Sequence, residues 1–224
     1  MKLYFLPPLV LQKLIWVPTR IILSFFGHLH VKGLDNLKGI KGNIIFACNH
    51  TSELDPILIP AVLPFWSKFS PIFYTSREES FYKNSGWRQN IYGGLFFKAW
   101  GAYTVFTGLR NYEKSLKNHI EIANDGGNIC IFPEGRITQT GMIQRAKGGI
   151  AYLSHVTKTV IVPVAFKGTY HLSSRDFFMR NANISVTFGK PINVMIEPNT
   201  TLCIDDFKDY ANFTMDKVKD LLLS

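Results

Sequence analysis

The chain has 224 residues, 46% of them hydrophobic and only 18% charged. That is enough for one sizeable domain without disulfide staples, and too polar for a polytopic membrane protein. The formal net charge of +9 points to an anionic partner: nucleic acid, a phosphorylated substrate or a lipid headgroup surface.

The first stretch, "MKLYFLPPLVLQKLIWVPTRIILSFFGHLH", is mostly apolar. A spanning helix wants about 20 nearly charge-free residues. Lys13 and Arg20 interrupt this run, and Pro7, Pro8 and Pro18 are expected to break its helix register. No small-residue cleavage site follows, which argues against a secretory leader. Residues 1–29 therefore read as an amphipathic, membrane-binding helical segment of one or two helices. Trp16 and the basic residues are expected at headgroup depth. A helical arm that packs on the rest of the domain, residues 30–224, is the plainer alternative.

Beyond the arm, short β-type runs alternate with helix-type runs. "NIIFAC" (43–48) predicts a strand, and "PILIPAVLPF" opens a helix. Residues 70–76 predict a strand, 86–100 a helix despite Gly93 and Gly94, and 102–106 a strand. Residues 111–127 form an amphipathic helix stopped by glycines. A strand at 128–132, a helix at 148–157, a buried strand at 159–166, a half-exposed strand at 183–189 and a helix at 206–223 complete the chain. This order predicts a layered α/β/α domain with a mixed, largely parallel sheet. The cysteines are few and widely spaced. Cys48 and Cys130 sit in apolar runs as small buried hydrophobes, which argues against a disulfide frame or a metal site.

In such sheets, sites form where loops leave the carboxyl ends of the strands. "NHTSELDP" (49–56) is one such loop. On one regular helix His50 and Asp55 would lie about 140° apart. Asp55 followed by Pro56 instead reads as an N-cap and first helical residue, which lets the loop fold back. A carboxylate on one imidazole nitrogen fixes the tautomer and raises the basicity of the other, making a general base for an alcohol or water. An N-cap aspartate beside a structural histidine fits the same residues.

"IFPEGRITQTG" (131–141) is the second. Gly135 permits unusual backbone angles or close approach of a ligand, and Arg136 offers a planar fork for phosphate. Arg145, Lys147, Lys158 and Lys167 follow with few acids between. Position beside a glycine turn after a buried strand favours an anion site over a solvated basic face. No GxSxG, GxxxxGK[ST], HExxH, CxxC or GxGxxG pattern occurs. The aromatics lie in apolar runs, not among the basic residues, which speaks against nucleic acid.

These stretches resemble the glycerolipid (PlsC-like) acyltransferases, the family that includes 1-acylglycerol-3-phosphate acyltransferases. His50 to Asp55 matches the family's HxxxxD box. "GAYTVFTGLRNYEKSL" (101–116), "FPEGRIT" (132–138) and "IVPVAFKG" (161–168) resemble its later blocks, in the same order. The resemblance implies that His50 deprotonates a glycerol hydroxyl attacking an acyl thioester, with Asp55 orienting it. The donor would be acyl-CoA or acyl carrier protein, with no metal or bound cofactor. Glu134, Gly135, Arg136, Lys147 and Arg110 would bind the lysophospholipid acceptor. Arg110 would replace an arginine that the family often carries where this chain has Thr107. The expected product is phosphatidic acid, made at the cytoplasmic face of a membrane by a peripheral or monotopic protein. "EGRIT" also resembles the acyltransferase part of 2-acylglycerophosphoethanolamine acyltransferases, so a lysophosphatidylethanolamine acceptor stays open. So do a hydrolase using the same pair on water, and a non-catalytic lipid-binding protein.

Overall fold

Among the described residues, the alternating apolar runs fold into seven strands joined in one sheet, ordered β1-β7-β6-β2-β5-β3-β4. A computed structural model describes residues 2–77, 95–106, 108–109, 111–194 and 203–224. The strands are β1 (His30–Lys32), β2 (Ile44–Cys48), β3 (Ile72–Ser76), β4 (Ala102–Thr104), β5 (Asn128–Ile131), β6 (Val160–Lys167) and β7 (Ser185–Phe188). All neighbours pair in parallel except β6 and β7. The mixed, largely parallel sheet is the one expected from the alternation of elements.

Central β2 is buried along its whole length, with Phe46 in register with Cys130 on one side and Val162 on the other. Its side chains alternate between two cores, as the strand period requires. Ile44, Phe46 and Cys48 enter one core, and Ile45 and Ala47 the other. Helices α1 (Leu6–Gly27) and α2 (Asp55–Val62) cover the first. The helices Gly149–Thr157 and Ile204–Leu223 cover the second. Burial of strands on both faces explains why they read as continuous apolar runs.

The N-terminal arm departs from expectation. The prolines do not break its register: after a 3-10 turn at Leu3–Phe5 it runs as a single helix, one of the one or two expected. Pro7 and Pro8 sit in its first turn, where no N–H partner is needed, and Pro18 lies inside without ending it. Tertiary bonds hold it. The buried Gln12 amide donates to Ile72 O and Trp100 O and accepts from Ile72 N. Trp16 Nε1 donates to Leu63 O and Arg20 Nη1 to Ala61 O and Val62 O. Those carbonyls end α2, where no intrahelical donor remains. Trp16 and Arg20, expected at headgroup depth, thus cap a neighbouring helix. The opposite face of α1 leaves Leu6, Val10, Leu14, Val17, Ile21 and Phe25 exposed. The helix is long and apolar enough to cross a membrane, yet it is bound to the domain along its length.

Smaller differences concern breaks and short elements. The helix expected over 111–127 is two, Tyr112–Ser115 and Lys117–Asn124, parted at Leu116. Strand β1 and the helix Ser174–Phe178 were not foreseen. Of the helix expected over 86–100, Leu95–Trp100 is helical; residues 86–94 lie outside the described residues.

Candidate active site

Strand β2 ends in a clamp. The buried Asn49 side chain donates to Phe166 O at 2.9 Å and accepts from Phe166 N at 2.8 Å. The ends of β2 and β6 are thereby locked together just before His50. The loop then turns back as the sequence suggested. His50 Nδ1 lies 2.9 Å from Asp55 Oδ2. Asp55 is fully buried, whereas the His50 side chain keeps 17% exposure.

Asp55 is the first residue of α2, one place later than an N-cap, with Leu54 in the cap position and Pro56 following inside the helix. The reason is where its oxygens go. Oδ2 also accepts the backbone N–H groups of Thr51 at 2.6 Å and Ser52 at 2.9 Å. The carboxylate organises the preceding loop instead of capping its own helix. Oδ2 accepts from both backbone N–H groups, so it also accepts from His50 Nδ1, and in the neutral imidazole this tautomer leaves the Nε2 lone pair for a substrate proton. The imidazole stacks on Phe132, with centroids 4.1 Å apart, which fixes the ring plane.

The second predicted stretch meets the first. Glu134 Oε1 accepts from His50 N at 3.0 Å, and Oε2 from Gln144 N at 2.8 Å. Burial pushes its carboxyl up, opposed by the hydrogen bonds from Gln144 and His50. Thr138 N donates to His50 O at 2.8 Å. The loop bearing His50 is therefore held by Glu134 and Thr138 together. Gly135 adopts φ +71, and a Cβ there would stand 2.9 Å from Lys147 Nζ. The left-handed backbone angle favours glycine here, while the flexible lysine tip could shift aside.

Beside Glu134 opens a cleft of roughly 630 Å³, lined by Arg77, Arg136, Arg145, Lys147, Thr140 and Gln144. Arg136 Nε donates to Gln144 Oε1 at 2.8 Å. Arg77 Nη2 donates to Gly135 O at 2.8 Å. Among the described residues the cleft gathers cations around one carboxylate that is already committed to backbone donors, so its chemistry suits an anion. His50, Asp55, Glu134, Gly135, Arg136 and Lys147 are brought together. Arg110 and Thr107 lie outside the described residues.

Sequence reasoning missed Arg77 and Thr169. Arg77 follows β3 directly, and the carboxyl end of a strand was the available signal. Thr169 is buried and reaches Asp55 Oδ1 at 3.2 Å and Thr51 Oγ1 at 2.7 Å. It lies two residues beyond the carboxyl end of β6, the same signal.

Known proteins resemble this chain in sequence and in fold. A chloroplastic 1-acyl-sn-glycerol-3-phosphate acyltransferase of Arabidopsis thaliana is 24% identical over 170 residues, 75% of this chain and 44% of that protein. A probable 1-acyl-sn-glycerol-3-phosphate acyltransferase of Mycoplasma pneumoniae is 24% identical over 161 residues, 68% of this chain and 58% of its own length. The chain thus spans about half the length of these curated relatives. The crystal structure of the 1-acyl-sn-glycerophosphate (LPA) acyltransferase PlsC from Thermotoga maritima matches with a TM-score of 0.61 at 19% identity. It covers 95% of this chain and 79% of that one, so the fold is shared. A family model described as Acyltransferase matches residues 28–167. That span contains the His50–Asp55 loop and the Glu134 turn, and the chain belongs to the acyltransferase family.

Proposed function

We propose that this protein moves a fatty acyl group from an acyl thioester to the free hydroxyl of 1-acylglycerol-3-phosphate, giving phosphatidic acid. The observation that carries the reading is the His50–Asp55 pair, 2.9 Å apart, at a strand end beside a cationic cleft. His50 Nε2 takes the proton of the acceptor hydroxyl as its oxygen attacks the thioester carbonyl. The C–O bond forms, the C–S bond breaks, and the proton passes from His50 to the departing thiolate. No covalent acyl-enzyme is required. The donor is acyl-CoA or an acyl carrier protein, both of which present the same thioester.

The acceptor's phosphate belongs in the cleft, with the Arg136 fork as its main partner and Lys147 beside it. A cleft this rich in cations favours the more highly charged phosphomonoester over a phosphoethanolamine diester. The names of the relatives point to the same acceptor. Glu134 acts as a brace between the loops.

The exposed face of α1 lies on the cytoplasmic surface of a membrane. Trp66, 88% exposed, extends that face beside Lys13, whose Nζ sits 4.4 Å from the Phe65 ring centroid. Arg180 lies over Phe25 in the same way. Aromatic rings beside cations suit a headgroup region.

The test offers purified full-length protein a panel of lysolipids with acyl-CoA or acyl carrier protein, and identifies the product by mass. Phosphatidic acid is expected. His50→Ala and Asp55→Asn should each abolish transfer while remaining folded, and the double variant should be little worse, because base and orienting group act as a unit. Near-normal turnover by His50→Ala overturns the mechanism. Fatty acid release without an acceptor would indicate a hydrolase.

A further inference from the structure

Asp55 spends its oxygens unequally. Oδ2 receives His50 Nδ1 and the N–H groups of Thr51 and Ser52. Oδ1 receives the Thr169 hydroxyl at 3.2 Å. The carboxylate has no proton to give, so that hydroxyl donates to Asp55. Its proton is then spent, and the contact of 2.7 Å between Thr169 Oγ1 and Thr51 Oγ1 must be a donation from Thr51 to Thr169. Both hydroxyl directions follow from the chemistry of one carboxylate.

Thr169 is also held firmly in place. It is 1% exposed. Gly168, at φ +88, turns the chain out of β6 so tightly that a Cβ there would lie 2.0 Å from Asn183 O. The same strand end is clamped to Asn49 through Phe166. A hydroxyl fixed this way resists rotation of the carboxylate about its own axis. That rotation would carry Oδ2 away from the imidazole.

We infer that Thr169 is a positioning residue: its hydroxyl holds the plane of the Asp55 carboxylate, and through it the His50 imidazole, while the Thr51 hydroxyl acts only through Thr169. This rests on the acyl-transfer reading above. Thr169 touches no reacting atom. Its loss therefore lowers turnover and leaves substrate binding alone.

The test uses the full-length protein and compares Thr169→Val, Thr169→Ser, Thr51→Val and the Thr51→Val/Thr169→Val double variant, each with its thermal transition. Thr169→Val should lower kcat about tenfold, with the KM values of donor and acceptor nearly unchanged. Thr169→Ser should recover most of the loss, because it restores the hydroxyl. Thr51→Val should lower kcat less, and should add nothing to Thr169→Val. Normal kcat in Thr169→Val, a folded Thr169→Ser as slow as the valine variant, or full additivity overturns the assignment. Where Thr169→Val does not fold, Thr51→Val carries the test, and an unchanged kcat there overturns it. Activity persisting in His50→Ala is a separate outcome that overturns the acyl-transfer reading itself.

Discussion

The Glu134 carboxylate joins two loops, accepting the His50 N–H at 3.0 Å with one oxygen and the Gln144 N–H at 2.8 Å with the other. It is 4% exposed, so neither bond has water as a substitute. Glu134→Gln replaces one acceptor with a donor that faces an N–H. We expect a stability loss of about 1–3 kcal/mol, together with a fall in kcat and little change in acceptor KM. Denaturant unfolding and steady-state kinetics on the same preparation check this. Full stability with a raised acceptor KM would make Glu134 a direct ligand.

Arg136 and Arg77 line the same cleft, but only a guanidinium presents paired donors to phosphate. Arg136→Lys should raise the acceptor KM about ten- to a hundredfold, with donor KM unaffected. Arg77→Lys should act in the same direction. Arg110→Lys serves as the comparison. An unchanged acceptor KM in Arg136→Lys, with a large rise in Arg110→Lys, would relocate the phosphate.

The two faces of α1 predict separate effects. Gln12 satisfies Ile72 N, Ile72 O and Trp100 O, and Gln12→Leu strands these buried groups. A loss of at least about 2 kcal/mol is expected. Leu14 on the other face is exposed. Leu14→Glu should leave thermal stability unchanged and reduce sedimentation with anionic vesicles. Equal vesicle binding by Leu14→Glu and the parent chain would remove this face as the membrane contact. Deleting the arm outright is a poorer test, because Phe5 and Leu23 belong to the cores.

His119 on the helix Lys117–Asn124 gives a pH signature. It is fully buried, and Nε2 donates to Tyr74 O at 3.1 Å while Nδ1 has no partner among the described residues. Burial lowers its pKa from 6.5 to about 4, partly offset by the bond to Tyr74. The unfolded chain binds this proton more readily, so the contribution is complete above pH 6.5. It falls as pH drops towards 4 and is lost below that. Over this window the loss is about 3 kcal/mol. His119→Gln, which keeps an N–H for Tyr74 O, should flatten that part of the stability profile. Equal losses in both proteins between pH 6.5 and 4.5 would refute the assignment.

Much of this molecule is written in near neighbours. An apolar run bounded by Asn43 and Asn49 becomes β2 because both its faces are buried. The break after it places His50 at a strand end, and the turn "PEGR" places Glu134 and Gly135 at another. Asp55 is within reach of His50 because only a short loop separates them. These outcomes depend on side-chain pattern and on local turn chemistry, which a single sequence displays. The composition of α1 likewise displays its apolar character.

Distant partners were decided by tertiary structure. Strand β1 is three residues long and has little pattern of its own; it exists because it pairs with β7. Helix α1 continues through Pro18 because Gln12, Trp16 and Arg20 find acceptors on the domain. Those bonds turn Trp16 inward, whereas Trp66, on another segment, is an exposed ring. Thr169 meets Asp55 from 114 residues away, and Arg77 meets Gly135 from 58. A threonine or an arginine looks the same in sequence whether it faces water or a carboxylate. Only the packing of the sheet, which sets strand ends side by side, selects its partner.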